Sequence, residues 1–436
     1  MAELRIKLPY NYDPRDYQLP VLEALDNGLN RLIIVWHRRA GKEKTCINLI
    51  AKKMYERVGN YYYYFPTFAQ GRKVLWEGID KNGFKFLDHF PKALLKKKPN
   101  DSEMKIEYIN GSTFRVIGTD QVNSLVGANP VGCVFSEFSL QDPMGWDLVR
   151  PILAENGGWA LFNFTPRGEN HGYQLLEMAR QDKGWFTQIL TVDDTNAIPK
   201  EVLEQERREI ISKDGNDALY QQEYYCSFKV PIAGAYYATQ LMTAEQEKRI
   251  CVIPYEVNIP VDTWWDLGVD DSTTIWFSQT VGKEIRFIDY YEQNGEGLPH
   301  YAKFLQDKKY VYGTHTAPHD IEVRELGTGK SRKETAKSLG IEFKTAPRLW
   351  LEDGIEASRT MLVRCWFDEK KCQRGLNALK SYHKEYDEKN KIYRNHPFHD
   401  WSSHGADGFR TFATAYRDKI YKWSDSGQPY KPKYTH

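Results

Sequence analysis

The chain is predicted to be an α/β protein of two domains, the first built on a parallel sheet and the second on a mixed sheet. Three observations lead there. Its 436 residues are long for one domain and sufficient for two cores. In the first half, short apolar β-type runs alternate with helical periodicity, as strands joined by crossover helices do. After Ile253 the texture changes to strands separated by short Gly-containing turns, the pattern of an antiparallel meander. The expected boundaries are a first domain over 1–232, a linker over 233–255, a second domain over 256–424 and a loose polar tail over 425–436.

Composition narrows the function classes. Lys and Arg number 60 against 59 Asp and Glu, so no bulk basic excess marks a nucleic-acid binder and any such contact must come from local patches. The six cysteines, Cys46, Cys133, Cys226, Cys251, Cys365 and Cys372, never form a CxxC pair. That excludes a disulfide framework and a Cys-based zinc site, and fits a reducing compartment. No N-terminal apolar run reads as a signal peptide, and no segment approaches the ~20 apolar residues of a membrane span. A soluble, intracellular protein with no membrane partner is expected.

The richest stretch is Arg31 to Asn48, RLIIVWHRRAGKEKTCIN. An apolar strand, Leu32 to Trp36, enters an Arg-rich turn that ends in Gly41-Lys42 and continues as a helix to Val58. Gly41 lets the backbone curl around an anion, and Lys42 places a point charge on β- and γ-phosphates. This is the context of a Walker A loop, yet it departs from G-x-x-x-x-G-K-[ST] at both ends. Trp36 stands where the first Gly belongs, and Glu43 where the hydroxyl residue belongs. Arg38 and Arg39 precede the Gly-Lys pair, and either fits as an arginine finger in cis. Upstream, Tyr17 and Gln18 in Asp13-Pro14-Arg15-Asp16-Tyr17-Gln18 offer stacking and hydrogen bonding to an adenine, or simply an N-cap region. The expected ATP-binding set is therefore Tyr17, Gln18, His37, Arg38, Arg39, Ala40, Gly41, Lys42, Glu43, Lys44 and Ser136.

Strands are expected next at Tyr61 to Phe65, Thr113 to Ile117, Gly132 to Phe135 and Trp159 to Phe164. Gly132-Cys133-Val134-Phe135-Ser136-Glu137 reads as a Walker B strand: an apolar run delivers Glu137 to the sheet edge as the base that orients the attacking water. The residue before it, normally a magnesium-holding Asp, is Ser136. A carboxylate is thus missing from Walker B while one appears at Glu43, and the hydroxyl has moved the other way. Either the two positions have exchanged metal roles, or Glu43 faces solvent and Thr45 or waters complete the magnesium shell. The strand ending in Phe164-Thr165-Pro166-Arg167-Gly168 has a polar tip suited to sensing the γ-phosphate, with Thr165 as the coupling residue; an ordinary turn is the plainer alternative.

In the second domain, Thr263-Trp264-Trp265-Asp266-Leu267-Gly268 delivers Asp266 at a strand end. A return strand through Ile275 to Phe277 and another over Arg286 to Tyr291 complete what looks like the opening of an RNase H-like sheet. Asp320, after a strand at Val311 to Thr316, and Asp407, at the start of a helix in Ser403-His404-Gly405-Ala406-Asp407-Gly408-Phe409-Arg410, are the further acids. Three carboxylates at strand ends can hold two Mg²⁺ or Mn²⁺ about 4 Å apart. Asp270, Asp271, Glu322 and Asp400 are rival ligands. Lys330, Arg332, Lys333 and Lys337 form a basic loop suited to DNA phosphates.

In order and spacing, the deviant Walker A with paired arginines, the strand ending in Glu137, T-P-R-G, D-x-G, P-H-D and S-H-x-A-D-x-F-R resemble the large terminase subunit of tailed bacteriophages. The resemblance covers nearly the whole chain. It implies a RecA-like (ASCE) P-loop ATPase joined to an RNase H-like nuclease, with Arg38 as finger, Glu137 as catalytic carboxylate, and Asp266, Asp320 and Asp407 as the nuclease triad. It further implies ATP and Mg²⁺, with Mn²⁺ usable by the nuclease. The implied partners are double-stranded DNA, a portal protein of the procapsid, a small terminase subunit and further copies of the chain in a ring, commonly pentameric, assembled on the portal in the host cell cytoplasm. Two alternatives stay open: a helicase-like ATPase-nuclease of repair or restriction, and a DNA-docking assembly protein whose catalytic centres have decayed.

Overall fold

In a computed structural model, the structure describes residues 6–80, 82–120, 127, 129–214, 216–268, 272–324, 329–387 and 392–418. The chain divides into two compact units, 1–232 and 233–436.

The first unit is built on seven strands: β1 (Arg31–Trp36), β2 (Asn60–Phe65), β3 (Lys105–Glu107), β4 (Thr113–Gly118), β5 (Pro130–Ser136), β6 (Trp159–Asn163) and β7 (Trp185–Leu190). They form one sheet in the order β3-β4-β2-β5-β6-β1-β7. Every neighbouring pair is parallel except β3 with β4. The side chains of β1 show why it reads as an unbroken apolar run. Leu32, Ile34 and Trp36 pack on one face with Ile47 and Ile50 of the helix Lys42–Glu56. Ile33 and Val35 pack on the other face with Phe135 and Phe162. A strand buried on both faces has no polar alternation to show. Parallel pairing also brings the carboxyl ends of β1, β5 and β6 to one edge of the sheet, where ligands of open α/β sheets bind.

The second unit carries β8 (Ile250–Cys251), β9 (Val261–Asp266), β10 (Ser272–Val281), β11 (Glu284–Asn294), β12 (Tyr312–Ala317), β13 (Phe343–Thr345) and β14 (Cys365–Asp368), with a separate hairpin of β15 (Lys384–Asp387) and β16 (Ile392–Pro397). The main sheet runs β13-β12-β9-β10-β11-β14-β8. Its centre, β9-β10-β11, is antiparallel and its flanks are parallel. Trp264 and Trp265, adjacent in β9, go to opposite faces and into separate cores. Residues 233–255, expected as a linker, instead hold the helix Ala238–Gln246 and strand β8, which pairs with β14 at the edge of this sheet. Tyr237 and Leu241 are buried in the second unit's core, and that burial is why the segment is ordered. The expected tail at 425–436 lies outside the described residues. Among the described residues no helix is long and apolar enough to cross a membrane.

Candidate functional site

At the carboxyl edge of the first sheet, β1 passes into the loop 37–41. Gly41 adopts φ +90°, a left-handed conformation that favours glycine. Lys42 opens the following helix and folds back over the loop. Its Nζ donates to the Trp36 carbonyl at 2.9 Å and to Thr165 Oγ1 at 3.1 Å, and the side chain is buried. Trp36, in the place of the motif's first Gly, is still strand: its indole donates to Gln188 on β7 while its carbonyl serves Lys42. Of the two readings of Tyr17 and Gln18, the N-cap region is the one the structure shows, with Gln18 accepting from the Arg15 amide, and the two residues also brace the loop. Both donate to the Ala40 carbonyl, and Gln18 Oε1 accepts from Tyr12 and from the Arg15 amide. Gln18 is 3 % exposed. Its amide is spent on bracing the loop and does not face out toward a base.

Glu43 does not face solvent. Ser136 Oγ donates to its Oε1 at 2.7 Å, and the Tyr63 hydroxyl donates to its Oε2. Burial, the largest influence, raises the carboxyl's proton affinity, and the two hydrogen bonds and Lys42 oppose it while the Glu137 charge adds to it. Thr45 is occupied elsewhere, donating to the Gly41 carbonyl and contacting the Tyr12 hydroxyl. The carboxylate of the Walker A position and the hydroxyl of the Walker B position are therefore paired directly.

Glu137 follows β5 with φ +54° and ψ +44°, the left-handed region. That turn aims its carboxylate along the sheet edge, and Oε2 lies 3.5 Å from the Thr165 amide. Ser139 Oγ donates to the Thr165 carbonyl and Asn170 donates to the Ser139 carbonyl, tying the 165 turn to the 137 turn.

The two loop arginines differ. Arg38 is anchored through its backbone amide to the Glu223 carbonyl at 2.8 Å, and its guanidinium lies 3.5 Å from the Glu223 carboxylate. Arg39 is exposed at φ +70°. Glu223 also accepts from Arg167 at 2.7 Å. Burial alone would raise the Glu223 carboxyl, but Arg167 and Arg38 outweigh it and hold it below the usual range. His37 is fully buried, its ring between the Arg38 carbonyl and Thr195 Oγ1, and burial lowers its pKa to about 4. Lys44 pairs with Asp80 at 3.2 Å.

In the second unit a cleft is lined by Asp266, Asp320, Asp407, His319, Arg348 and Arg410, among others. Asp266 ends β9. Asp407 lies in the middle of the helix Trp401–Ala415, whose N-cap is Asp400, so the helix starts before the expected point. Two glycines three residues apart bring this helix down on the sheet. A Cβ at Gly408 would stand 2.6 Å from Thr274 Oγ1, and one at Gly405 would stand 2.6 Å from Ala378. Thr274 and Trp276 of β10 then donate to the carbonyls of His404 and Gly405. Since Thr274 is the register partner of Asp266, this close approach sets Asp407 beside Asp266. Burial, the largest influence, and the Asp266 charge raise the Asp407 pKa to about 7 against the pull of Arg410 and His404. Asp407 Oδ1 is buried and receives no aligned donor, although Arg410 Nη1 stands 3.0 Å away as an ion partner. An under-neutralised oxygen beside a second carboxylate, all hard donors, fits Mg²⁺ or Mn²⁺.

The third acid does not join them closely. Asp320 lines the same cleft but is 55 % exposed and paired with His319 at 3.1 Å. Among the described residues no group of three or more His, Cys, Asp or Glu is placed to hold a metal ion. Of the rivals, Glu322 is taken by Thr345 and Lys333, Asp400 caps its helix, and Asp270 and Asp271 lie outside the described residues. Within the basic loop, Lys333 and Lys337 are already in surface ion pairs with Glu322 and Glu342.

Tyr63 and Glu223 were missed by sequence reasoning, and Arg410 was named within a motif without a role. Tyr63 had no distinguishing signal, being one of four consecutive tyrosines in β2. Glu223 had none, since the helix Ala218–Tyr225 carries no motif and reaches the loop only through the fold.

No family model matches the chain. A curated relative, the large terminase subunit of Escherichia phage T5, is 26% identical over 224 residues, covering 50% of this chain and 48% of that protein. The match thus spans about half the length of that relative. Among solved structures, the large terminase of a thermophilic bacteriophage in complex with ADP is similar with 17% identity, 91% of this chain and 98% of that one covered, and a TM-score of 0.42. The P22 large terminase nuclease domain is similar with 14% identity, 38% and 88% covered, and a TM-score of 0.31.

Proposed function

We propose that this chain, which resembles the large terminase subunits of tailed phages, is the motor and nuclease of viral DNA packaging. In this reading it drives double-stranded DNA into a procapsid with ATP and cuts the concatemer. The observation that carries it is the buried Lys42 ammonium at the sheet edge, held among the described residues by two neutral oxygens beside the Glu43–Ser136 pair. A cation so placed is better matched by an anion than by Trp36 and Thr165.

On binding ATP, the turn before the helix presents its amides to the phosphates and Lys42 exchanges its two oxygens for phosphate oxygens. Glu137, held at the edge by its turn, orients a water toward the γ-phosphate and accepts its proton. Release of Thr165 by Lys42 gives the 165 turn a way to register the nucleotide. Glu43 and Ser136, with exchanged roles, would hold Mg²⁺ in this unit, and Asp266, Asp407 and Asp320 would hold Mg²⁺ or Mn²⁺ in the second. Bound there, these ions supply charge neutralisation at the triphosphate and Lewis acidity at a DNA phosphodiester. Asp320 has to leave His319 to join the other acids. A portal protein, a small terminase subunit and further copies in a pentameric ring, acting in the host cytoplasm, complete the proposal.

The test is to incubate wild type and Asp266→Ala with supercoiled plasmid and Mn²⁺ or Mg²⁺, and to assay ATP turnover on the same preparations. Metal-dependent cutting lost in the variant with turnover retained supports two separable centres. No cutting with any metal sinks the nuclease half of the reading.

A further inference from the structure

We infer that Glu223 is a positioning residue for the nucleotide loop: it holds Arg38 aside until a γ-phosphate competes for that guanidinium. The inference rests on the ATPase reading of the first unit and goes one step beyond it. Glu223 belongs to no motif, yet it is the carboxylate on which both arginines flanking the Lys42 contacts converge. Its side chain is 8 % exposed, which makes an unpaired charge there expensive and its two partners significant.

The partners are unequal. Arg167, two residues past Thr165, is held at 2.7 Å and is 23 % exposed. Arg38 stands off at 3.5 Å and is 60 % exposed, so its pairing is the weaker and more hydrated of the two. The Arg38 amide is separately fixed to the Glu223 carbonyl at 2.8 Å. The backbone is therefore anchored while the guanidinium can swing. An incoming polyphosphate offers Arg38 more negative charge than half a carboxylate does, whereas Glu223 stays neutralised by Arg167 when Arg38 leaves. A diphosphate lacks the terminal group, so Arg38 remains with Glu223. Glu223 thus sets how much negative charge a nucleotide must offer before Arg38 is released, through a carboxylate that touches no nucleotide.

The test is a double-mutant cycle on the full chain, with nucleotide affinity measured from the fluorescence of a labelled ATP and a labelled ADP. Glu223→Gln keeps the shape and an acceptor for Arg167 but drops the charge that holds Arg38. Its expected effect is about fivefold tighter ATP binding, on the order of one exposed ion pair that no longer has to be broken, with little change for ADP and so a widened preference for ATP. In an Arg38→Ala background the same substitution should change ATP affinity by less than about twofold, because there is no guanidinium left to release. Glu223→Asp should restore the wild-type preference, and a thermal melt of each variant reports folding separately. An equal effect of Glu223→Gln with and without Arg38 would mean that Glu223 acts by its field alone, and would overturn the inference. A wild-type chain that binds neither nucleotide would overturn the ATPase reading, and the inference with it.

Discussion

Lys42 in the first unit and Asp407 in the second are both charged groups drawn back from water, but their surroundings are opposite. Lys42 is met by two aligned acceptors, Glu43 nearby has two donors, and Glu223 has two guanidiniums. Asp407 has a second carboxylate for a neighbour, one poorly aligned guanidinium, and a proton affinity raised to about 7. The nucleotide loop is organised before any ligand arrives. The acidic cleft is half organised, with Asp320 still turned to His319. On the packaging reading, preorganisation is placed where turnover must be fast and repeated. A cutting centre is left short of a cation, which keeps it weak until one is supplied.

Four measurements put that contrast at risk. Lys42→Ala should have the largest effect, lowering ATP turnover by about 10²-fold or more while plasmid cutting with Mn²⁺ persists; loss of both activities would mean the centres are not independent. Acidification comes next. His37 is neutral in the fold, with a pKa of about 4 against an ordinary 6.5. A depressed base loses stability as the unfolded chain takes up protons, so the loss begins near pH 6.5 and is complete near pH 4. It amounts to about 3 kcal/mol for the first unit. Hydrogen exchange of the helix Lys42–Glu56 against pH should show this slope, and His37→Gln should flatten it.

Metal should act on the other unit. Mn²⁺ at about 100 times its dissociation constant should stabilise the second unit by about 2.7 kcal/mol. It should slow exchange in the helix Trp401–Ala415, leave Lys42–Glu56 unchanged without nucleotide, and do nothing in Asp266→Ala. The smallest effect is Gly408→Ala, whose Cβ meets Thr274 at 2.6 Å and Trp276 at 3.2 Å. Overpacking of that kind costs about 1–3 kcal/mol. It should lift Asp407 off Asp266 and reduce cutting while ATP turnover holds; undiminished cutting would remove the helix approach from the account.

Legibility in the sequence followed the range of the interactions. Sheet strands such as Arg31–Trp36 and Val261–Asp266 were readable because burial writes itself into consecutive residues. Glu43 and Ser136, two anomalies 93 positions apart, were legible as anomalies, but the sequence left exchanged metal roles and a solvent-facing Glu43 both open and did not foretell their direct hydrogen bond. For Gln18 the sequence offered a base contact or an N-cap role, and its contact with Ala40 went unforeseen because it is tertiary and leaves no local pattern. The same holds for Glu223. Segment 233–255 was expected as a linker, and the burial of Tyr237 and Leu241 and the edge pairing of a two-residue strand tie it to the second unit instead.

The backbone at Glu137 sets local stability against the placement of a side chain. A non-glycine residue at φ +54° costs about 1–2 kcal/mol relative to an unstrained one. Glycine or asparagine would sit there more comfortably. On the ATPase reading, that strained turn is what holds the carboxylate at the sheet edge beside Thr165, so the position carries function at the expense of stability.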